Sequence, residues 1–212
     1  MRTLEARDAY ALLADAYDSS PNALISLEKR TLAPLLPELA GRTVADAAAG
    51  TGRWASYCAS RGARTIAVDF CQNMLARAPR PAIQADAARL PLADACADVT
   101  ICAFALGYAP GCFAELRRIT RRGGIVLVSD IHPEAIGRGW TRSFRNGDEV
   151  IEVAHQPYAI EDLRAPSLEL SCLLEPRFGP PEREIFARAG CLSRFEEASR
   201  EPAIFVARWV CV

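Results

Sequence analysis

The chain has 212 residues, 50% of them hydrophobic, with 25 basic against 26 acidic side chains and a net charge of −1. That length fits one large domain, and that apolar content supplies a core able to bury roughly 70% of the unfolded chain's surface, which excludes disorder as the dominant state. The balanced charge excludes a general positive field, so neither nucleic acid nor an anionic membrane is expected as a partner.

The opening stretch, MRTLEARDAYALLADAY, carries acids and bases throughout where a secretory signal needs an apolar segment. No apolar run approaches the ~20 residues of a membrane helix, so a cytoplasmic protein is expected. Leu24, Leu27, Leu32 and Leu35 recur at helical spacing, and residues 1–39 are predicted to form a cap of two helices broken near Ser19-Ser20-Pro21. Tyr10 and Tyr17 stand seven residues apart, two turns along one helix face. They read equally well as an aromatic stripe packed on the core and as a ligand contact.

Residues 40–130 hold a succession of short, uninterrupted apolar runs: Thr43-Val44-Ala45, Thr65-Ile66-Ala67-Val68, Val99 to Phe104, and Ile125 to Val128. Continuous hydrophobicity marks strands covered on both faces, as in parallel sheets. Helices are predicted between them over 53–61, over 71–78 before Pro79, and over 112–120, where Arg121-Arg122-Gly123-Gly124 should stop the last one. This alternation predicts a doubly wound α/β sheet. Residues 131–165, with Trp140, Phe144, His155 and Tyr158, are richer in aromatic and turn residues and read as a lid over the sheet's carboxyl edge. Residues 166–212 should complete the sheet, with strands over Leu168–Leu174 and Ala203–Val210 and a helix over 181–189 between them. The eight cysteines include no CxxC pair and no Cys-His cluster, so neither a disulfide framework nor a metal site is expected.

Ligands of open α/β sheets bind outside the carboxyl ends of the strands. The first strand ends in Asp46 and runs into the small-residue turn Ala47 to Gly52; the second ends in Asp69; Asp86 follows the third, short strand. Gly50-x-Gly52-x-x-Ala55 also satisfies the dinucleotide fingerprint, and Asp69 lies 19 residues after Gly50, where a ribose-binding acid belongs. Two nucleotide classes therefore stay open. Asp46 separates them: an anion there repels a pyrophosphate at the helix N-terminus but suits a ligand bearing sulfonium and ammonium charge. A dehydrogenase would also need a proton relay, and there is no Tyr-x-x-x-Lys; the one lysine, Lys29, lies upstream of the core.

The segments VADAAAGTGRWA, AVDFCQNML, ADAARLPLADACADVTICAFALGY and LRRITRRGGIVLVSDIHP, in this order over about residues 40–132, resemble the successive motifs of the class I S-adenosylmethionine-dependent methyltransferases. They are most similar to the small-molecule branch that includes the ubiquinone and menaquinone biosynthesis type. The resemblance implies a Rossmann-like, mostly parallel seven-stranded sheet with an antiparallel C-terminal strand. It implies S-adenosylmethionine as cofactor and S-adenosylhomocysteine as product. Asp46, Gly50 and Gly52 would border the methionine part, Asp69 would take the ribose hydroxyls, and Phe70 and Met74 would pack near ribose and adenine. Asp86 would accept from the adenine amino group beside the Ala87 backbone, and Ala103-Phe104 would form the floor. The family's turn usually reads Asp-x-Gly-x-Gly-x-Gly; here its first glycine is Ala48, whose methyl narrows the backbone's freedom and the ligand's approach.

Plainer roles exist for each acid: Asp69 as a cap on the helix near Cys71, Asp86 as a turn residue, Asp46 as an acceptor for loop amides. His132, directly after a strand end, is a candidate general base, as is His155 in the lid; a His-Pro turn bonded to backbone is the alternative for His132. The absence of an Asn/Asp-Pro-Pro-Tyr stretch and of a Pro-Cys nucleophile disfavours macromolecular acceptors. The expected function is methyl transfer to an oxygen or nitrogen of a small organic acceptor, with Tyr10, Tyr17, Trp140, Phe144 and Tyr158 on the acceptor or lid side. The alternatives are an NAD(P)-dependent oxidoreductase and a non-catalytic S-adenosylmethionine-binding subunit.

Overall fold

In a computed structural model describing residues 1–212, the chain opens with strand β1 (Arg2–Leu4) and helices α1 (Ala6–Leu13) and α2 (Ala23–Leu32). The core alternates β2 (Thr43–Ala47), α3 (Arg53–Ala59), β3 (Arg64–Asp69), α4 (Gln72–Leu75), β4 (Ala82–Gln84), β5 (Ala97–Ala103), α5 (Cys112–Ile119) and β6 (Thr120–Ile131). Helix α6 (Pro133–Gly137) and the hairpin strands β7 (Ser143–Asn146) and β8 (Glu149–Val153) follow, then β9 (Leu168–Leu174), α7 (Pro180–Arg188), α8 (Phe195–Ala198) and β10 (Ile204–Cys211). No helix is long and apolar enough to cross a membrane.

Seven strands form one sheet in the order β4-β3-β2-β5-β6-β10-β9. Strands β2 to β6 pair in parallel, while β10 runs antiparallel between β6 and β9. Successive side chains of a strand point to opposite faces, and here both faces are covered. Val99 and Ile101 meet Leu27 and Leu32 of α2 and Trp54 and Cys58 of α3. Cys102 and Val128 meet Phe113, Leu116 and Ile119 of α5 on the other side. This double burial is why the runs are apolar without alternation.

Several predicted boundaries move. The helix over 71–78 shrinks to α4, and α5 stops at Ile119, one residue short of its predicted end. Thr120 is already extended; its hydroxyl is shared with Leu116 O and Thr100 Oγ1, and it pairs with Ala97. Residues 121–124 thus belong to the start of β6, exposed at 121–123 and buried at Gly124. The amino-terminal segment holds the two predicted helices, α1 and α2, separated across residues 14–22, and a short strand besides. Asn22 caps α2 by accepting from Leu24 N and Ile25 N at 2.9 and 3.3 Å, and α2 then lies within the main core. Strand β1 pairs in parallel with β8, building a second sheet of order β1-β8-β7. Ile151 and Val153 of that sheet pack on Ala6 and Ala9 of α1. This small sheet thus joins the amino-terminal segment to part of the 131–165 stretch that the sequence reading takes as a lid.

Candidate active site

The strand order reverses between β2 and β5, where a crevice opens beyond their carboxyl ends. One cleft lies there, and all the sequence-predicted cofactor positions except Gly52 line it: Asp46, Ala48 and Gly50 after β2, Asp69, Phe70 and Met74 after β3, Asp86 and Ala87 after β4, Ala103 and Phe104 after β5. Gly52 faces elsewhere. Its φ is +75°, and a Cβ there would sit 2.5 Å from Pro79 Cδ and 2.9 Å from Ala78 Cβ, so its bare backbone makes room for the chain after α4.

Each acid is oriented by backbone. Asp69 accepts from Gly50 N through Oδ2 and from Cys71 N through Oδ1, both at 2.7 Å, so the capping role and a place in the cleft coexist. Every carboxylate oxygen keeps a second lone pair for a ligand. Burial raises the Asp69 pKa against the lowering pull of these amides. Asp46 accepts from Ala55 N at 2.8 Å, and its burial pushes its carboxyl up to about 7. Asp86 accepts from Ala88 N at 2.8 Å.

Two cleft residues hold left-handed backbone without being glycine: Ala48 at φ 54° and Phe104 at φ 59°. Phe104 is held by its amide donating to Ser129 O at 2.7 Å and by Arg142 donating to its carbonyl at 2.8 Å. Strain of this kind concentrates at sites that bind ligands closely.

Arg142, Arg53, Trp54 and Tyr108 line the cleft without having been singled out in the sequence. The Arg142 guanidinium pairs with the buried Asp130 carboxylate and stands over the Phe104 and Tyr108 rings, 4.7 and 5.2 Å from their centroids. Arg53 and Trp54 are fixed from behind by Glu28, which is fully buried in α2. It accepts from Arg53 at 2.7 Å, from the Trp54 indole N–H at 2.8 Å and from the Ser129 hydroxyl at 2.9 Å. A signal for Glu28 exists in the sequence, since it sits between Leu24 and Leu32 on the apolar stripe at i+4 from each.

The two histidines stand outside the cleft. His132 is 5% exposed; its Nδ1 accepts from Glu134 N, capping α6, and its Nε2 lies 2.8 Å from Glu175 Oε1. The turn-forming alternative describes it. His155 borders a shallow recess beside Gly107 and Tyr158. Trp140 stacks on Phe178 at 5.9 Å, and the Tyr158 hydroxyl donates to Ile131 O, so both serve packing around that recess. Phe144 lines a groove continuous with the cleft, and Tyr10 and Tyr17 line both. Helix α1 ends before Tyr17, so a turn brings the two rings to 6.2 Å, with no shared helix face.

A doubly wound sheet that sets carboxylates at the ends of its first three parallel strands defines an α/β protein of the nucleotide-binding kind. Residues 45–128 match the family model described as a methyltransferase domain. The chain is 31% identical over 170 residues to the malonyl-[acyl-carrier protein] O-methyltransferase of Pectobacterium atrosepticum, covering 71% of this chain and 66% of that one. It is 31% identical over 145 residues to the demethylmenaquinone methyltransferase of Thermobifida fusca, covering 58% of this chain and 61% of that one. The chain thus spans about two thirds or less of the length of these two relatives. An S-adenosylmethionine-dependent methyltransferase from Mesorhizobium loti superposes with a TM-score of 0.68 at 19% identity, over 89% of this chain and 100% of that one. Residues 45–128 thus carry a methyltransferase domain, in a chain whose fold matches that of S-adenosylmethionine-dependent methyltransferases, with S-adenosylmethionine as the cofactor. The donor set fits that group: acceptors for hydroxyls and an amino group, apolar walls for a flat base, and a buried acid whose ionised form a cation would stabilise.

Proposed function

We propose that this protein transfers the methyl group of S-adenosylmethionine to an oxygen or nitrogen of a small organic acceptor. The observation that carries the reading is the gathering of Asp46, Asp69 and Asp86 along one cleft at the topological switch point. Asp69, pinned by two amides, would hold the ribose hydroxyls. Asp86 and Ala87 would meet the adenine edge between Phe70 and Met74, and Asp46 would face the charged methionine part. The bound sulfonium supplies an electrophilic methyl group. The chain's own contribution is to orient the acceptor and exclude water, an effect worth on the order of 7 to 11 kcal/mol in favourable models. With both histidines outside the cleft, no general base is assigned.

Tyr10, Tyr17 and Phe144 would border the acceptor. The named relatives act on a malonyl-acyl carrier protein and on demethylmenaquinone, and the groove beyond Tyr10 suits the small or apolar end of such a compound. The eight cysteines are all free, five of them buried, which suits the reducing cytoplasm. The overall charge of −1 leaves nucleic acid a poor acceptor.

The test is a thermal shift with S-adenosylhomocysteine against NAD. Ligand at tenfold its Kd should add roughly 1.4 kcal/mol of stability, and stabilisation by NAD alone would overturn the reading. Asp69→Ala is expected to weaken S-adenosylhomocysteine at least tenfold in calorimetry with the fold intact; unchanged affinity would remove the ribose role.

A further inference from the structure

The groove that continues from the cleft runs between the α1–α2 connection and β7. Tyr10, Tyr17, Phe104 and Arg142 are shared by cleft and groove and so form the passage between them. Beyond the passage the walls are apolar, with Leu13, Leu24, Ile25, Phe144 and Val153. The lining holds no carboxylate, histidine or lysine, and its two charged side chains are both guanidiniums, Arg142 and Arg145. Arg142 is matched by Asp130, whereas Arg145 is exposed on β7.

The remaining polar groups at the passage are phenols. The Tyr10 oxygen accepts from Arg142 at 3.4 Å, which leaves its own proton to donate. Burial pushes the Tyr17 phenol up to about 12 and the Tyr108 phenol higher still, so both remain donors at neutral pH. Tyr108 stands edge-on to Tyr10 at 5.7 Å, and its hydroxyl is the one buried side-chain polar atom in the chain without a hydrogen-bond partner. A buried donor left unmade costs about 1–3 kcal/mol, so a ligand acceptor there recovers what the chain leaves unsatisfied.

The groove lining offers donors and no base, which suits a nucleophile that is already an anion, since no group of that lining takes a proton from a neutral hydroxyl or an ammonium. We propose that the groove is the acceptor subsite and that it takes an apolar carboxylate, its anion received by the tyrosine hydroxyls and Arg145 and its hydrocarbon part by the groove walls. The inference rests on the methyl-transfer reading. In the step it implies, a carboxylate oxygen forms the new bond to the methyl carbon. The sulfur–methyl bond breaks with its electron pair passing to sulfur, and a methyl ester and S-adenosylhomocysteine result with no proton released.

The experiment is calorimetry of octanoate, octanamide and octylamine on protein saturated with S-adenosylhomocysteine. Octanoate is expected to bind at least tenfold more tightly than either of the others. Arg145→Gln should weaken octanoate threefold or more, with the S-adenosylhomocysteine Kd within twofold of the parent and the Tm unchanged, and Tyr108→Phe should weaken octanoate about tenfold. Absence of octanoate binding, or equal binding of the three probes, overturns the carboxylate subsite. A Tyr108→Phe variant that loses S-adenosylhomocysteine but keeps octanoate assigns that hydroxyl to the cofactor and overturns its role here. Failure of the parent protein to bind S-adenosylhomocysteine at all would instead strike the methyl-transfer reading itself.

Discussion

Ala48 occupies left-handed backbone, at φ 54°, a conformation that favours glycine. An L-residue loses roughly 1–2 kcal/mol in that region, and glycine returns about 0.4–1 kcal/mol of that through the freer unfolded chain. Ala48→Gly should therefore raise stability by about 0.5–1 kcal/mol, read as a higher urea midpoint; a lower midpoint would show that the turn is unstrained. Asp46 sets a pH dependence. Its folded pKa of about 7 lies above the ordinary 3.8, so its contribution to folding is fully present below about 3.8 and is lost as pH rises through about 7 in the free protein. A bound cation favours the ionised form and reverses the balance for binding. S-adenosylmethionine affinity is expected to fall about tenfold per unit below pH 7, and Asp46→Asn should flatten that slope in titrations at several pH values. A flat profile in the parent protein would remove Asp46 from contact with the ligand's charge. These residues were legible because each ends a strand, and a strand's end is a local signal.

At the scale of elements, Glu28 joins α2 to α3 and β6 through three hydrogen bonds made without solvent. Glu28→Ala would strand the Arg53 guanidinium, the Trp54 indole N–H and the Ser129 hydroxyl together, a loss of about 3 kcal/mol or more. Denaturant unfolding measures it, with Glu28→Gln expected to fall between Ala and the parent; a loss below about 1 kcal/mol would mean that water replaces the carboxylate. Most elements of the core were readable from continuous apolar runs and turn residues, since both arise from burial along a single segment. The early start of β6 was not, because Thr120 is drawn into the ladder by Ala97 and Thr100, partners that lie twenty or so residues away. The same is true of β1, whose three residues become a strand only against β8.

Across the whole molecule, the amino-terminal segment around Tyr10 and Tyr17 and the segment at Arg142 converge on the cleft. The sheet β1-β8-β7, helix α1 and Arg142 all bear on one space, with Arg142 tied to Asp130 at the end of β6. Ligand binding should therefore order these parts together. Hydrogen exchange is expected to slow in residues 1–17 and 141–153 when S-adenosylhomocysteine is added, while the edge strand β9 stays unchanged; protection confined to the 46–52 turn would show that the lid acts independently of the ligand. By itself the sequence determined the alternating α/β order, the doubly covered strands and the acids at three strand ends, because these follow from propensity and burial over short spans. Only the tertiary structure decided that Tyr10, Tyr108 and Arg142 meet around one cleft, that Glu28 backs its wall and that both histidines lie outside it. Such meetings depend on which distant surfaces pack together, and local spacing carries little record of that choice.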